Sequence, residues 1–476
     1  MPTLNVVLVS TYELGRQPFG LASPAAWLRD AGASVTCVDL SIEMLDDAAI
    51  AEADLVAFYV PMHTATRIAA SMTPRVLLLN PDVHLCFYGL YAPVNEGFLR
   101  ELGAHTILGG EFEAGIVALA ERLAAGGDVP APQPQPEPTI ALARQQFQVP
   151  DRNGLPELSR YAHLTMGNGS ARVVGNTEAS RGCKNLCRHC PIVPVYGGRF
   201  FVVQPDVVLA DVDQQVAAGA QHIIFGDPDF FNGPTHAMRV VEELHRRHPE
   251  VTYDVTIKVE HLFRHQAHLP RLRETGCLFI TSAVEAVDDG ILEIFDKHHT
   301  RADFIQVVGL LREVGIHFNP TFVTFNPWIS LEGYRVLLRV VADLDLVGSV
   351  APIQYAIRLL IPAGSRLLEL AEVRELVDEF DPAAMIYPWR HADPWVDQLH
   401  AEVMAVVSGD GADDRAATFT RVWDLTEAAI GLPIAERTPW APVPGRLLAG
   451  VPHLSEPWYC CAEPTELQLT TARDGV

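Results

Sequence analysis

Cationic residues and long apolar runs are what this sequence has least of. Lysine and arginine number 35 against 59 aspartates and glutamates, a formal charge of -24 over 476 residues. Nucleic acid and anionic membrane surfaces are bound mainly through lysine and arginine, so the deficit disfavours both as partners. No stretch reaches the ~20 apolar residues needed to span a bilayer, and no charged-then-apolar signal segment opens the chain. The expectation is a cytoplasmic protein acting on a small molecule. No solenoid-type repeat is visible. Three of the eight cysteines sit together, which reads as chemistry in a reducing compartment and not as a disulfide framework. With 49% hydrophobic residues the chain can fill two or three cores, more than one domain usually organises.

The clustered cysteines are Cys183, Cys187 and Cys190, in Ser-Arg-Gly-Cys-Lys-Asn-Leu-Cys-Arg-His-Cys-Pro. Three thiolates at this spacing can fix three irons of a four-iron cluster and leave the fourth iron open to another ligand. The competing reading is a structural zinc site completed by His189. Such sites usually recruit a second close ligand pair. No second C-x-x-C occurs, and the one H-x-x-x-H, His261 with His265, lies far along the chain.

Downstream, helical and apolar segments alternate. Val207 to Ala220, Thr235 to Arg247 and Ala302 to Val314 have helical periodicity. Strands are expected from Gln221, at Tyr253 to Val259, Leu278 to Glu285, His317 to Phe325 and Ile353 to Leu360. Repeated βα units predict parallel strands with helices outside, as a partial or full barrel whose ligands collect at strand carboxyl ends. Gly226 and Asp227 end one strand, Lys258 and Glu260 flank the next, and Glu285 ends the one after. Each is a candidate for cofactor binding or an internally satisfied polar residue. Arg358 is a lone charge in an apolar segment and needs a partner, either a substrate or cofactor carboxylate or a structural carboxylate such as Glu285. Cys37, Cys86 and Cys277 lie in apolar contexts and read as core. His261, His265, His268, His298 and His299 read as solvated.

Residues 1–123 alternate strand and helix independently: Leu4 to Val9, Ser34 to Asp39, Leu55 to Tyr59 and His84 to Tyr88 as strands, Ser23 to Asp30 as a helix, and Val76 to Leu79 opening a further βα stretch. This predicts a doubly wound, Rossmann-like α/β domain. Residues 124–160 hold alternating prolines and read as a stiff linker. The barrel would occupy 161–374, a mostly helical region 375–457, and a tail 458–476. The tail contains Trp458-Tyr459-Cys460-Cys461-Ala462-Glu463-Pro464. Adjacent thiols suit a soft metal, trivalent arsenic or redox exchange.

The cysteine motif resembles the signature of the radical S-adenosylmethionine (SAM) superfamily. That resemblance implies a 4Fe-4S cluster on Cys183, Cys187 and Cys190, SAM on the open iron, and an electron donor such as flavodoxin or ferredoxin. Gly226-Asp227 stands where the superfamily commonly has a Gly-Gly-Glu-like segment for the SAM amine, and His189, Lys258, Glu260 and Glu285 are the other candidates around the cofactor. The segment Leu-Gly-Gly-Glu-Phe-Glu at 108–113, ahead of the cysteines, resembles the cobalamin-binding domain of one radical SAM group. Cobalamin would then lie near Phe19, Gly20, His63, Thr64 and Tyr88, unless the domain has lost its cofactor. The D-x-H-x-x-G ligand signature is absent. The Cys-Cys-Ala-Glu-Pro tail, with Ile-Arg-Leu-Leu-Ile-Pro-Ala-Gly-Ser-Arg at 357–366, resembles the CUAEP/CCAEP-tail radical SAM proteins. By that resemblance Cys460, Cys461 and Arg358 would act on substrate, a small molecule or a thiol-bound metalloid. Modification of a peptide natural product and non-catalytic metal binding are the alternatives.

Overall fold

The computed structural model describes residues 3–126, 135–409, 414–432, 440, 451–456 and 463. Six parallel strands build the N-terminal sheet: β1 (Asn5–Ser10), β2 (Ser34–Asp39), β3 (Leu55–Tyr59), β4 (His84–Tyr88), β5 (Thr106–Gly110) and β6 (Ile140–Ala141), in the order 2-1-3-4-5-6. β3, β4 and β5 are buried along their whole length because helices cover both faces, as an all-parallel sheet requires. Helices Phe19–Asp30 and Glu113–Ala124 cover one face, and His63–Leu79 covers the other. The order reverses between β1 and β3, which opens a crevice at the carboxyl ends of those strands.

Two expectations fail here. Val76 to Leu79 does not open a βα unit; it closes the helix His63–Leu79. Its Val-Leu-Leu-Leu composition suits a strand, yet Ile68, Met72 and Val76 are buried at helical spacing while Leu78 is 81% exposed. The segment read as linker also supplies β6, which pairs with β5. Residues 127–134 of that segment lie outside the described residues.

The second sheet has five parallel strands in chain order: Val174–Thr177, His222–Phe225, Thr252–Thr256, Cys277–Glu285 and His317–Phe322. Helices Pro205–Ala217, Pro234–Arg247, Arg301–Val314 and Leu331–Asp343 pack outside it, so the fold is α/β with a partial barrel. The expected strand Ile353 to Leu360 is mostly absent. Proline at 352 fixes its own φ and removes a donor; residues Pro352–Tyr355 form a 3-10 turn, and only Arg358 bridges, to Phe325. Cys37, Cys86 and Cys277 are core residues, as expected.

Helices Pro394–Val407 and Arg415–Ala429 form the C-terminal helical region, packed on the barrel through Phe419 and Val422. The chain then returns as a strand, His453–Leu454 pairing antiparallel with Leu164–Thr165. No helix among the described residues is long and apolar enough to cross a membrane.

Candidate functional site

The cysteines stand on a loop between Ser180–Gly182 and Phe200–Val202, which pair antiparallel. Gly182 has φ +71°, and a Cβ there would lie 2.4 Å from the Arg199 carbonyl oxygen, so only glycine lets the loop turn. Cys183 and Cys187 are buried and Cys190 half-buried. A distant segment holds the loop backbone: Arg366 Nη1 donates to Leu186 O at 2.6 Å and Ser365 Oγ to Arg188 O at 3.2 Å. From the opposite side, Asn232 Oδ1 accepts the Lys184 N–H at 3.1 Å and lies 3.8 Å from Cys183 Sγ.

Two buried ammonium groups adjoin the thiols. Lys258 Nζ lies 3.9 Å from Cys187 Sγ and 3.4 Å from Glu260 Oε2, and Lys297 Nζ lies 3.4 Å from Glu285 Oε1. Glu285 also meets His189 Nε2 at 3.1 Å. Burial alone would raise the Glu285 carboxyl, but Lys297 and His189 outweigh it and hold it at about 2. A register shift at the strand end and φ +68° turn Glu285 out of the sheet pattern; such bulges re-aim side chains next to functional sites. Burial, then the neighbouring Cys187, push the Cys190 thiol up to about 12. Thiols so placed ionise only with a cation at hand. Three soft donors flanked by two ammonium groups fit an anionic iron-sulfur cluster. Among the described residues no three His, Cys, Asp or Glu side chains converge as one metal ion would demand. A cubane takes one thiolate per iron and needs no such convergence.

Arg181, two residues before Cys183, joins this loop to the N-terminal sheet. It makes a fork with Glu113 at 2.6 and 2.9 Å, reaches Glu178 at 2.7 Å and Glu111 at 3.6 Å, and lies over the rings of Phe112 and Phe147. One guanidinium cannot ionise every acid around it. Burial pushes Glu111 and Asp227 up to about 7 each, and burial with the nearby Glu178 pushes Glu13 up to about 8. These acids stay protonated in the fold where the unfolded chain has released its protons, so their own contribution to stability is full below about pH 4.5 and is lost as pH rises toward 8. Glu285 acts oppositely only below its unfolded value, while burial holds His84, His299 and His400 below the ordinary imidazole range, so these three act oppositely inside the window, weakening the fold as pH falls below about 6.5. Glu13→Gln should therefore match the unsubstituted thermal midpoint at pH 5 and rise above it progressively between pH 5 and pH 8. Parallel curves for the two proteins would refute the assignment.

A cavity of about 290 Å³ occupies the barrel interior, lined by Asp227, Thr256, Thr281, Asn319, Thr321 and Gln354. That is near the lower end for small-molecule sites. A second cavity of about 170 Å³ lies at the seam between the sheets, against Tyr59, Gly110, Arg181 and Tyr196; Gly226 and Pro228 line both. Asp227 accepts from Ala179 N and Ser180 Oγ, tying the cysteine loop to the strand end. A larger outer cleft, about 970 Å³, shares no residue with the site.

Arg358 is not gathered here. It pairs with Asp397 at 2.8 Å and lies over the Trp389 ring, so its partner is the structural carboxylate of the helical region and not Glu285. His261 is buried on Asp229 at 2.6 Å and His299 is buried on Val284 O, against the expectation that both are solvated. Cys460 and Cys461 lie outside the described residues. Lys297 and Asn232 carry no motif in sequence, and the segments that contain Arg181 and Arg366 do not single them out; only their positions in the fold reveal these four.

The edge suggested for cobalamin is filled by its own residues. A Cβ on Gly20 would lie 2.1 Å from the Tyr59 ring, the Tyr88 hydroxyl donates to Gly20 O at 2.9 Å, and Phe19 lies under Arg181. Thr64 is fully buried, and His63 Nε2 is engaged by Glu463 at 3.1 Å. With about 170 Å³ beside them, the described residues as arranged do not fit a corrin.

Residues 177–328 match the Radical SAM superfamily, a span that holds all three cysteines, Asp227, Lys258, Glu285 and Lys297. The chain thus carries a radical SAM domain, which makes it an enzyme by class and implies a 4Fe-4S cluster and SAM. The tRNA-2-methylthio-N(6)-dimethylallyladenosine synthase of Syntrophobacter fumaroxidans is 28% identical over 196 residues, 38% of this chain and 41% of that protein, so the chain spans less than half of this curated relative. Among solved structures, the radical SAM methyltransferase TsrM of Kitasatospora setae, with cobalamin and a [4Fe-4S] cluster bound, gives a TM-score of 0.66 at 15% identity over 93% of this chain and 92% of that one. The cobalamin-dependent radical enzyme OxsB, with aqua-cobalamin and SAM bound, gives 0.67 at 13% identity over 90% and 72%. At these identities the likeness is one of fold.

Proposed function

We propose that this chain is a radical SAM transferase that passes a SAM-derived group to a small molecule, or to a metalloid held by Cys460 and Cys461. The observation that carries the reading is the pair of buried ammonium groups, Lys258 and Lys297, beside the three thiols. Cys183, Cys187 and Cys190 would hold the cluster. When bound, cluster and SAM supply reductive homolysis of a carbon-sulfur bond. Lys258 and Lys297 offset the negative charge of the thiolates, Glu285 fixes Lys297 and His189, and Asp227 holds the cysteine loop at the strand end beside the barrel cavity. Membership of the CUAEP/CCAEP-tail group is supported by the Cys-Cys-Ala-Glu-Pro sequence itself. The curated relative is named for tRNA; the charge of -24 here favours a small substrate instead.

The tail is tested with arsenite as the probe, since adjacent thiolates hold a trivalent metalloid far better than one thiol does. Reconstituted protein should bind about one arsenite per chain. Cys460→Ser and Cys461→Ser should each lower that occupancy at least tenfold while iron content and SAM consumption stay at the unsubstituted level. Unchanged arsenite binding in the double Ser protein would remove the tail from the reading.

A further inference from the structure

The barrel interior holds a carboxylate that the cysteine site does not use. Asp254, 5% exposed, lines the cavity of about 290 Å³ from the middle of the strand Thr252–Thr256. His222 Nε2 meets its Oδ1 at 2.9 Å, and His222 is itself buried, stacked on Phe279 and joined through Nδ1 to Thr252 Oγ1 at 2.8 Å. These contacts fix the carboxylate and leave Oδ2 without a hydrogen bond among the described residues. Two amides line the same cavity. The Phe322 N–H donates to Gln354 Oε1 at 2.9 Å, which sets the orientation of the amide and leaves Nε2 buried without a partner; Gln354 is 1% exposed. Asn319 Oδ1 is buried without a partner as well. Unpaired buried polar atoms are costly, so a donor and an acceptor left this way on one cavity wall point to a ligand that completes them.

A cation of the same wall is also unanswered. Arg16 makes no salt bridge among the described residues, and its Nε is buried without a partner. Its acidic neighbour Glu13 is pushed up to about 8 by burial and then by Glu178, so at neutral pH it carries little charge to offset the guanidinium. The other charged groups on the wall are engaged: Asp227 by Ala179 N and Ser180 Oγ, Arg415 by Gly348 O, and Glu456 by the Tyr12 hydroxyl. We infer that the small molecule this cavity takes is an amino acid, its carboxylate on Arg16 and the Gln354 amide N–H and its ammonium on Asp254 and Asn319 Oδ1. A volume near the lower end for small-molecule sites suits a single amino acid better than a peptide. SAM also carries an amino acid group, but on the open iron it would lie with the thiols. Asp254 precedes Lys258, the neighbour of Cys187, by four residues, roughly 13 Å of extended chain. That the amino acid is the acceptor rests on the transferase reading above; that it binds does not.

Equilibrium binding of the common free amino acids, one at a time, to the full reconstituted chain with and without saturating SAM tests this. The tightest should bind at least about tenfold better than its decarboxylated amine and its α-hydroxy acid, each of which lacks one charge. Arg16→Met should bring the amino acid down to the affinity of the amine, and Asp254→Asn down to that of the hydroxy acid. Melting midpoints report whether each variant folds, and Arg16→Met alone decides if Asp254→Asn does not. Binding of no amino acid, equal binding of the singly charged analogues, displacement by SAM, or an Arg16→Met protein with unchanged selectivity would overturn the inference. Iron content is read on every sample, so a failure of the cluster assignment registers separately.

Discussion

Cys187→Ala protein, reconstituted anaerobically with iron and sulfide, should hold a small fraction of the roughly four irons expected per chain and consume no SAM under strong reductant. Cys187 has Lys258 Nζ 3.9 Å away, and Lys297 interacts with it as well. On the proposed assignment, removing the thiolate deletes one of three cluster ligands, and it also leaves a buried ammonium facing a methyl group. Neither loss can be made good by a neighbour, because the loop is pinned at Leu186 and Arg188 on either side. Arg358→Gln is the matched control. Its guanidinium serves Asp397 in the helical region, so iron content should stay within about a tenth of the unsubstituted value. SAM consumption by Cys187→Ala at the unsubstituted rate would sink the cluster assignment.

The second large effect is expected at Arg181. Replacing it with methionine strands Glu113, which is fully buried, along with Glu111 and Glu178. Breaking a buried ion pair from one side typically costs about 3–5 kcal/mol, against a total stability of roughly 5–15 kcal/mol for a domain. Arg181→Met should therefore unfold at a markedly lower temperature at pH 7.5 and bind less iron, since Cys183 follows two residues later. At pH 5 the stranded acids take up protons more readily, so the deficit should shrink. Arg181→Lys should recover only part of the loss, because an ammonium reproduces neither the fork to Glu113 nor the planar contact with Phe112 and Phe147. A melting curve for Arg181→Met that overlays the unsubstituted one at pH 7.5 would show the seam is held by something else.

Local patterns made much of the scaffold legible. The strands at 34–39 and 55–59 were plain from short apolar runs bounded by polar turns, and Cys183, Cys187 and Cys190 from spacing alone. The apolar run from Leu278 places Glu285 at a strand end. The bulge that turns it toward His189 is not legible there, since register is a property of two strands and not of one. Lys297 and Arg181 escaped for the same reason: each is an ordinary cation until folding surrounds it with acids contributed by separate segments. Composition misled at Val76 to Leu79, where burial at helical spacing overrode β propensity, and at Ile353 to Leu360, where one proline ended the strand before it began. A lone charge in an apolar segment shows that Arg358 needs a partner, but not that the partner is Asp397, on a helix 39 residues later.

The hold of Arg366 on Leu186 spans 180 positions in the chain. During synthesis the three cysteines leave the ribosome long before Ser365 and Arg366 exist. At 5–20 residues per second the interval is roughly ten to forty seconds. Through that time the thiols ride on a loop whose carbonyls have no partner, outside any finished pocket. The loop that carries the three cysteines therefore gains its last supports only near the end of synthesis, and until then its thiols lie open to solvent oxidants.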